Sequence, residues 1–363
     1  MLYFSKLRIL FITLFSFLFV LIASSNLFKF DDSFFDKKIN LGLDLQGGSY
    51  LLLEIDNDPV IEQKLQNLTT TVRNYFKEKD IKINNIKIEN QNIFFNASEE
   101  NKQSIIDTFT DENSDINPYY PRFKSHQLII EDTGLNFKLS FSKQGLIVLK
   151  TSSQDQAIEI VRRRIDEVGT NEPNILKRGN NRILVELPGL DDPMRVKSLL
   201  GKTANLTFRF VTNNENESFG VEKLKFEDGT DEAIVSKRII ISGDNLLDAQ
   251  PKMDTQTNQT IVSFSLDRVG AKRFGKATSN GIGKQLAIVL DGKILSAPVV
   301  RETIAGGSGQ ISGGFTFQSA TDLALLLRSG ALPAPLNIIE ERTVGPDLGQ
   351  DSINAGMIAL AIG

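Results

Sequence analysis

Residues 9–23 carry apolar side chains at every position except Thr13 and Ser16, and Lys6 and Arg8 precede them. A helix with no polar face must be buried, either in a protein core or in a bilayer. Leu27 and Phe28 resume the run after Ser24-Ser25-Asn26, so residues 9–28 reach the roughly 20 positions a spanning helix needs. The small residues Ala23-Ser24-Ser25 also offer a signal-peptidase site; length selects a retained anchor. In either case the basic flank predicts a cytoplasmic N-terminus and an exported remainder. Residues 355–363 form a second apolar run, too short by itself to cross a bilayer. It reads as the opening of a second transmembrane helix, with a short buried C-terminal helix as the alternative.

Between these runs the pattern changes to alternating and helical periods. Residues 49–56 read as a strand that follows the loop Leu41-Gly42-Leu43-Asp44-Leu45-Gln46-Gly47-Gly48. Asp58-Pro59 then starts a helix whose inner face is Ile61, Leu65, Leu68, Val72 and Tyr75, spaced by four and three. Strands over 81–89 and 92–96, a helix over 99–109 and strands over 127–130 and 135–141 complete the order β-α-β-β-α-β, a split βαβ signature. A second unit begins near Thr151 with a helix carrying Ile158, Val161, Ile165 and Val168 on one face. Its run Arg162-Arg163-Arg164, set among Glu159, Asp166 and Glu167, reads as a solvated face held by neighbouring carboxylates. A strand over 182–187, a helix from Asp192-Pro193 and a strand at Leu206, Phe208 and Phe210 follow. The Asn- and Glu-rich stretch from Thr212 marks a boundary. Beyond it come strands over 238–241 and 260–266, a helix over 269–280, a hairpin over 285–299 turned at Asp291-Gly292, and a glycine-rich segment over 305–314 read as a flexible hinge or a backbone-contact loop. A helix over 320–328 and a strand over 336–340 precede the terminal run. The fold class is α+β.

Composition narrows the chemistry. The 363 residues contain no cysteine and one histidine, His126, which excludes disulfides, thiolate metal sites and histidine clusters. His126 has no local carboxylate or serine partner. A net charge of −4 argues against nucleic acid as a partner. Gly201-Lys202-Thr203 resembles the end of a phosphate loop, but the required earlier glycine is replaced by Val196. Gly306, Gly307, Gly309, Gly313 and Gly314 lack dinucleotide-loop spacing, and Asp191-Asp192 and Glu340-Glu341 read as a helix start and a solvated strand end. No catalytic, cofactor or metal site is expected, and the chain is read as a non-enzyme.

Several ordered blocks carry a family resemblance: the loop over 41–48; Arg162 to Gly169 with Glu172-Pro173; Arg182 to Gly189; residues 280–284; Leu290-Asp291-Gly292; residues 325–332; and residues 341–349. Together they resemble the SecD family of bacterial protein-export subunits. The resemblance implies the following layout: a cytoplasmic N-terminus (1–8), a transmembrane helix (9–28), a linker with the first part of a ferredoxin-like periplasmic base (29–56), an additional split βαβ segment (57–145), more base (146–212), an inserted α+β head (213–315), the last part of the base (316–345) and the start of a truncated second transmembrane helix (346–363). It implies a place in the bacterial inner membrane with most of this chain in the periplasm. It also implies work with SecF and the Sec channel, SecYEG, on unfolded exported polypeptides, driven by the proton gradient. The family's proton-carrying carboxylate lies in a later helix, so no proton pathway is expected here. Gly42, Asp44, Gln46, Gly47 and Gly48 form the family signature, with a structural or functional role. Val262, Phe264, Leu266, Gly306 and Gly307 are the expected client contacts, through strand-edge pairing and apolar contact. Hinges for the head are expected near residues 212–217 and 313–319. The alternatives are a complete membrane-anchored periplasmic binding module or chaperone, and a relative of drug-efflux porter domains.

Overall fold

The computed structural model describes residues 5–24, 47–169, 173–190, 193–212, 220–229, 231–255, 257–344, 355–356, 358–359 and 362. Helix α1, Lys6–Ser24, has aliphatic and phenylalanine side chains exposed from Leu7 to Val20 with no protein surface against them. Among the described residues no helix is long and apolar enough to cross a membrane; the expected anchor reaches Phe28, and residues 25–28 lie outside the described part. The same holds for the linker over 29–46. Of the terminal run, positions 355–356, 358–359 and 362 are helical.

The first strand, β1 (Gly48–Ile55), is followed by α2 (Asp58–Glu78), β2 (Ile83–Glu89), β3 (Asn92–Ala97), α3 (Lys102–Thr110), the short pair β4 (Tyr119–Tyr120) and β5 (Ser125–His126), β6 (Leu128–Thr133) and β7 (Asn136–Phe141). Strands β2, β3, β6 and β7 form an antiparallel sheet of order β2-β3-β7-β6, and β4 and β5 pair separately. Helix α2 buries Ile61, Leu65, Leu68, Val72 and Phe76 against it, so the inner stripe ends on Phe76, with Tyr75 half-buried. Phe95 stacks on Phe137 at 5.2 Å and Phe76 meets Phe109 at 6.1 Å. Buried Asn117 ties this core's connections, donating to the Phe109 and Leu128 carbonyls and accepting from Leu128 N–H.

The split βαβ order read for this segment differs from the structure, because β1 is not in its sheet. β1 pairs antiparallel with strands far away in sequence. Helix α4 (Lys143–Val168), β8 (Asn174–Arg178), β9 (Arg182–Pro188) and α5 (Met194–Leu200) come next, and β19 (Leu336–Val344) closes a sheet of order β19-β1-β9-β8, with every neighbour antiparallel. The β-α-β-β-α-β order therefore belongs to β1, α4, β8, β9, α5 and β19. Helix α4 starts eight residues earlier than Thr151, where Ser142 caps it by accepting from Gly145 N–H at 2.9 Å. It spans two cores: Leu146 and Leu149 pack on the first sheet's core, whereas Ala157, Ile158, Val161 and Ile165 pack on the second.

The third body contains β10 (Leu206–Phe210), β11 (Val221–Lys225), β12 (Glu232–Ser236), β13 (Ile241–Ser242), β14 (Leu246–Met253), β15 (Thr260–Leu266), α6 (Arg268–Asn280), β16 (Leu286–Leu290), β17 (Lys293–Ser296), β18 (Ser308–Phe315) and α7 (Phe317–Ser329). Its sheets have orders β13-β10-β16-β17 and β14-β15-β18, with β11-β12 as a separate hairpin. Phe208, Phe264 and Phe274 lie with ring centroids 5.3 to 6.4 Å apart at its centre. Asp291 and Gly292 both take positive φ, 48° and 79°, the backbone that a tight two-residue hairpin demands. The glycine-rich segment is not a free loop, since Ser308–Phe315 pairs along β15.

Candidate functional site

The junction between the second and third bodies is built on one side chain. Val161 and Ile165 face the core of the second body, and Arg164 falls on the same buried stripe of α4. Its side chain is 0% exposed. Nη1 donates to the carbonyls of Leu199 at 2.7 Å and Lys202 at 2.5 Å, and Nη2 to those of Thr203 at 3.2 Å and Gly330 at 3.1 Å. The Leu199 carbonyl lies in the last turn of α5, those of Lys202 and Thr203 in the loop just after it, and that of Gly330 just after α7; helix C-termini present unsatisfied, partly negative oxygens. Burial pushes the guanidinium down to about 10, against which Asp291 raises it, so it stays charged at neutral pH. Arg162 makes the expected pair with Glu159 at 3.2 Å, but Arg164 departs from the solvated-face reading. Three carbons of spacer let a charge sit beneath a buried stripe when carbonyls await it.

The same geometry explains Gly201-Lys202-Thr203. This loop turns carbonyls inward around a cation, the opposite polarity to the inward N–H groups of a phosphate loop. Asp291 holds its outer side, accepting from the Thr203 hydroxyl, from Ala204 N–H at 3.1 Å and from Asn205 N–H at 2.8 Å. A second arginine ties the bodies together: Arg328 of α7 donates to Glu167 of α4 at 3.2 and 2.5 Å and to the Ala249 carbonyl of β14 at 2.7 Å. Glu167 holds Arg328 above the usual arginine range. Helix α7 itself has two buried sides. Ala320, Leu323, Ala324 and Leu327 belong to the core of the third body, while Leu325 and Leu326 pack on Leu199 and Ala204.

The signature residues separate into two groups. Gly42, Asp44 and Gln46 lie outside the described residues. Gly47 and Gly48 have φ of 71° and 131°, a region that favours glycine, and they deliver the chain into β1, the Gly47 carbonyl accepting from Gly189 N–H at 3.0 Å. The expected client contacts are placed differently from the strand-edge reading. Val262, Phe264 and Leu266 are buried, and β15 lies between β14 and β18 with both edges paired. Their alternation does mark one buried face of a strand, but that face is the core. Gly307, at φ 67°, has Ala271 Cβ where its own Cβ would stand, and its carbonyl accepts from Leu266 N–H at 2.8 Å; Gly306 is open. The other face of this sheet is polar and concave, with a volume of about 690 Å³, and it is lined by Asp248, Gln250, Lys252, Ser263, Ser265 and Gln310 among others. The His126 ring lies 4.7 Å from the Tyr119 ring, tilted by 49°, and Glu341 pairs with Lys197 at 2.9 Å. Among the described residues no three His, Asp or Glu side chains gather as metal ligands.

Three family models match the chain: "SecDF, P1 head subdomain" over residues 221–334, "Protein translocase subunit SecDF, P1 domain, N-terminal" over 154–213, and "SecD/SecF GG Motif" over 33–59. The protein translocase subunit SecD of Rickettsia bellii is 42% identical over 332 residues, covering 90% of this chain and 62% of that protein. The SecD of Acetobacter pasteurianus is 39% identical over 336 residues, covering 90% and 63%. The chain thus spans less than two thirds of the length of these curated relatives. A crystal structure of SecDF in a super-membrane-facing form is similar with a TM-score of 0.53 at 27% identity, over 96% of this chain and 37% of that one.

Proposed function

Because the chain belongs to the SecD family, we propose that it is the client-facing part of a Sec translocation subunit. In this reading it is anchored in the bacterial inner membrane by α1, holds its remaining described bodies in the periplasm, and acts with SecF and SecYEG on unfolded polypeptide at the expense of the proton gradient. The carrying observation is family identity over nine tenths of the chain. The unpartnered apolar surface of α1 behind Lys6 and Arg8 supports the anchor and its orientation. The β19-β1-β9-β8 order with α4 and α5 supports a ferredoxin-like base, and the third body supports an inserted head that extends past the expected 213–315 at both ends, to β10 and α7. Residues 57–145 are the additional segment.

The client surface is assigned here to the polar concave face of β14, β15 and β18. An extended chain of any sequence can be held there through its own backbone groups, with serine and glutamine side chains as partners. The test is gradient-dependent export of a periplasmic reporter in cells depleted of their own SecD and supplied with the native gene for this chain. Restored export that collapses when the proton gradient is discharged is expected. Unchanged export combined with suppressed aggregation of clients would instead indicate a membrane-anchored chaperone.

A further inference from the structure

We propose that one face of the head, formed by α6 and the turn before β13, docks on the anionic headgroup surface of a phospholipid bilayer. Helix α6 presents Arg268, Lys272, Arg273 and Lys276 to solvent and contains no Asp or Glu. Its N-cap Asp267 is turned inward onto Gly270 N–H at 2.5 Å. Arg238 faces Arg273 and Lys276 across a concavity of about 490 Å³ that also contains Phe210, Ile239 and Ala277. Lys284 lies over the Phe210 ring, 6.0 Å from its centroid.

Among the described residues none of these six cations makes an ion pair, whereas Arg209, Lys223 and Arg328 elsewhere on the same body are all paired with glutamates. Between the cations, Ile239, Val269 and Ile282 are 47%, 54% and 56% exposed. Unpaired cations alone would suit any polyanion. Aliphatic side chains set among them favour a surface with negative charge outside and hydrocarbon beneath. The concavity is large enough for one headgroup between Arg238 and Arg273. An acidic polypeptide offers the charge but no apolar layer, and is the competing outcome.

The proposal rests on the membrane-anchored reading, and the test separates the two. The cysteine-free chain takes a single fluorophore through Ser279→Cys on α6 and is reconstituted in vesicles carrying a lipid-borne quencher. Flotation with purely zwitterionic vesicles reports the anchor alone; if it fails, the same labelled chain added to anionic vesicles still tests the face. Quenching is expected with about 30% phosphatidylglycerol and not with phosphatidylcholine, and it is expected to vanish near 1 M salt, where the screening length falls to about 3 Å. Lys272→Glu, Arg273→Glu and Lys276→Glu together should lower the docked fraction by on the order of 100-fold, about fivefold per cation lost. Quenching that ignores lipid charge or the triple substitution overturns the proposal, as does a label that responds to polyglutamate and not to anionic vesicles.

Discussion

Removing the fully buried Arg164 guanidinium takes the hydrogen-bond donor from four carbonyl oxygens, one buried and three partly buried. Arg164→Ala should therefore cost on the order of 3–5 kcal/mol, the range for losing one partner of a buried charged network. Arg164→Lys keeps the charge on a single nitrogen with three protons, so it should lose about half as much. Calorimetry of both variants checks the order, and Arg163→Ala, an exposed neighbour, should leave the transition within about 0.5 kcal/mol of the parent. The sequence contained a signal for this residue that its company obscured. Positions 157, 161, 164 and 168 recur at the spacing of a buried helical stripe, yet three consecutive arginines among glutamates read as solvent-facing. The carbonyls that make burial tolerable come from Leu199 to Thr203 and from Gly330, beyond any local window. Gly47 and Gly48 were legible for the converse reason, since their requirement is local backbone geometry.

At the scale of elements, α4 joins two cores along one continuous helix of 26 residues, about 39 Å at 1.5 Å per residue. A proline placed between the two packed stretches tests whether that continuity transmits order. Thr151→Pro should cost about 3 kcal/mol locally. Hydrogen exchange should show faster opening of 146–150 while the amides of Arg182–Leu187 remain protected; equal loss at both ends would mean that the helix transmits order from one core to the other. Elements whose partners are close in sequence were readable: α2 by its four-three spacing, the Asp291-Gly292 hairpin by its turn chemistry, and β15 by alternation. Those defined by distant partners were not. Strand β1 was read into the wrong sheet because β9 and β19, not its sequence neighbours, complete its hydrogen bonds. Strand β18 is hidden in the sequence because glycine weakens a strand's propensity, although Phe264 lies so close to Gly309 that a Cβ there would stand 2.5 Å from the ring. For that reason Gly309→Val should destabilise the head, where Gly306→Ala, into open space, should not; thermal melts of the two variants compare them directly.

For the whole molecule, the crossings between base and head fix what the proposed motor can move. A hinge at 313–319 does not fit the structure, because β18 ends at Phe315, Thr316 caps α7, and α7 buries Ala320, Leu323, Ala324 and Leu327 in the head core. Of the other expected hinge, 212–217, all but Thr212 lie outside the described residues, and β10 just before it already pairs with β13 and β16 of the head. A moving head therefore carries β10 and α7 with it, and the chain bends at about 201–205 and 330–335, both ends of which meet at Arg164. Hinges of this kind are a few residues at element ends that absorb dihedral change. Rotation must then part Arg328 from Glu167 and slide Leu325 and Leu326 over Leu199 and Ala204. Joining Glu167→Cys to Arg328→Cys with a short cleavable bismaleimide should abolish gradient-driven export relative to the same double variant left unlinked, while leaving membrane insertion intact, and reductive cleavage should restore it. No other cysteine in these 363 residues can react. A cross-linked chain that still supports full export would show that the head works without swinging, as a fixed receptor for clients.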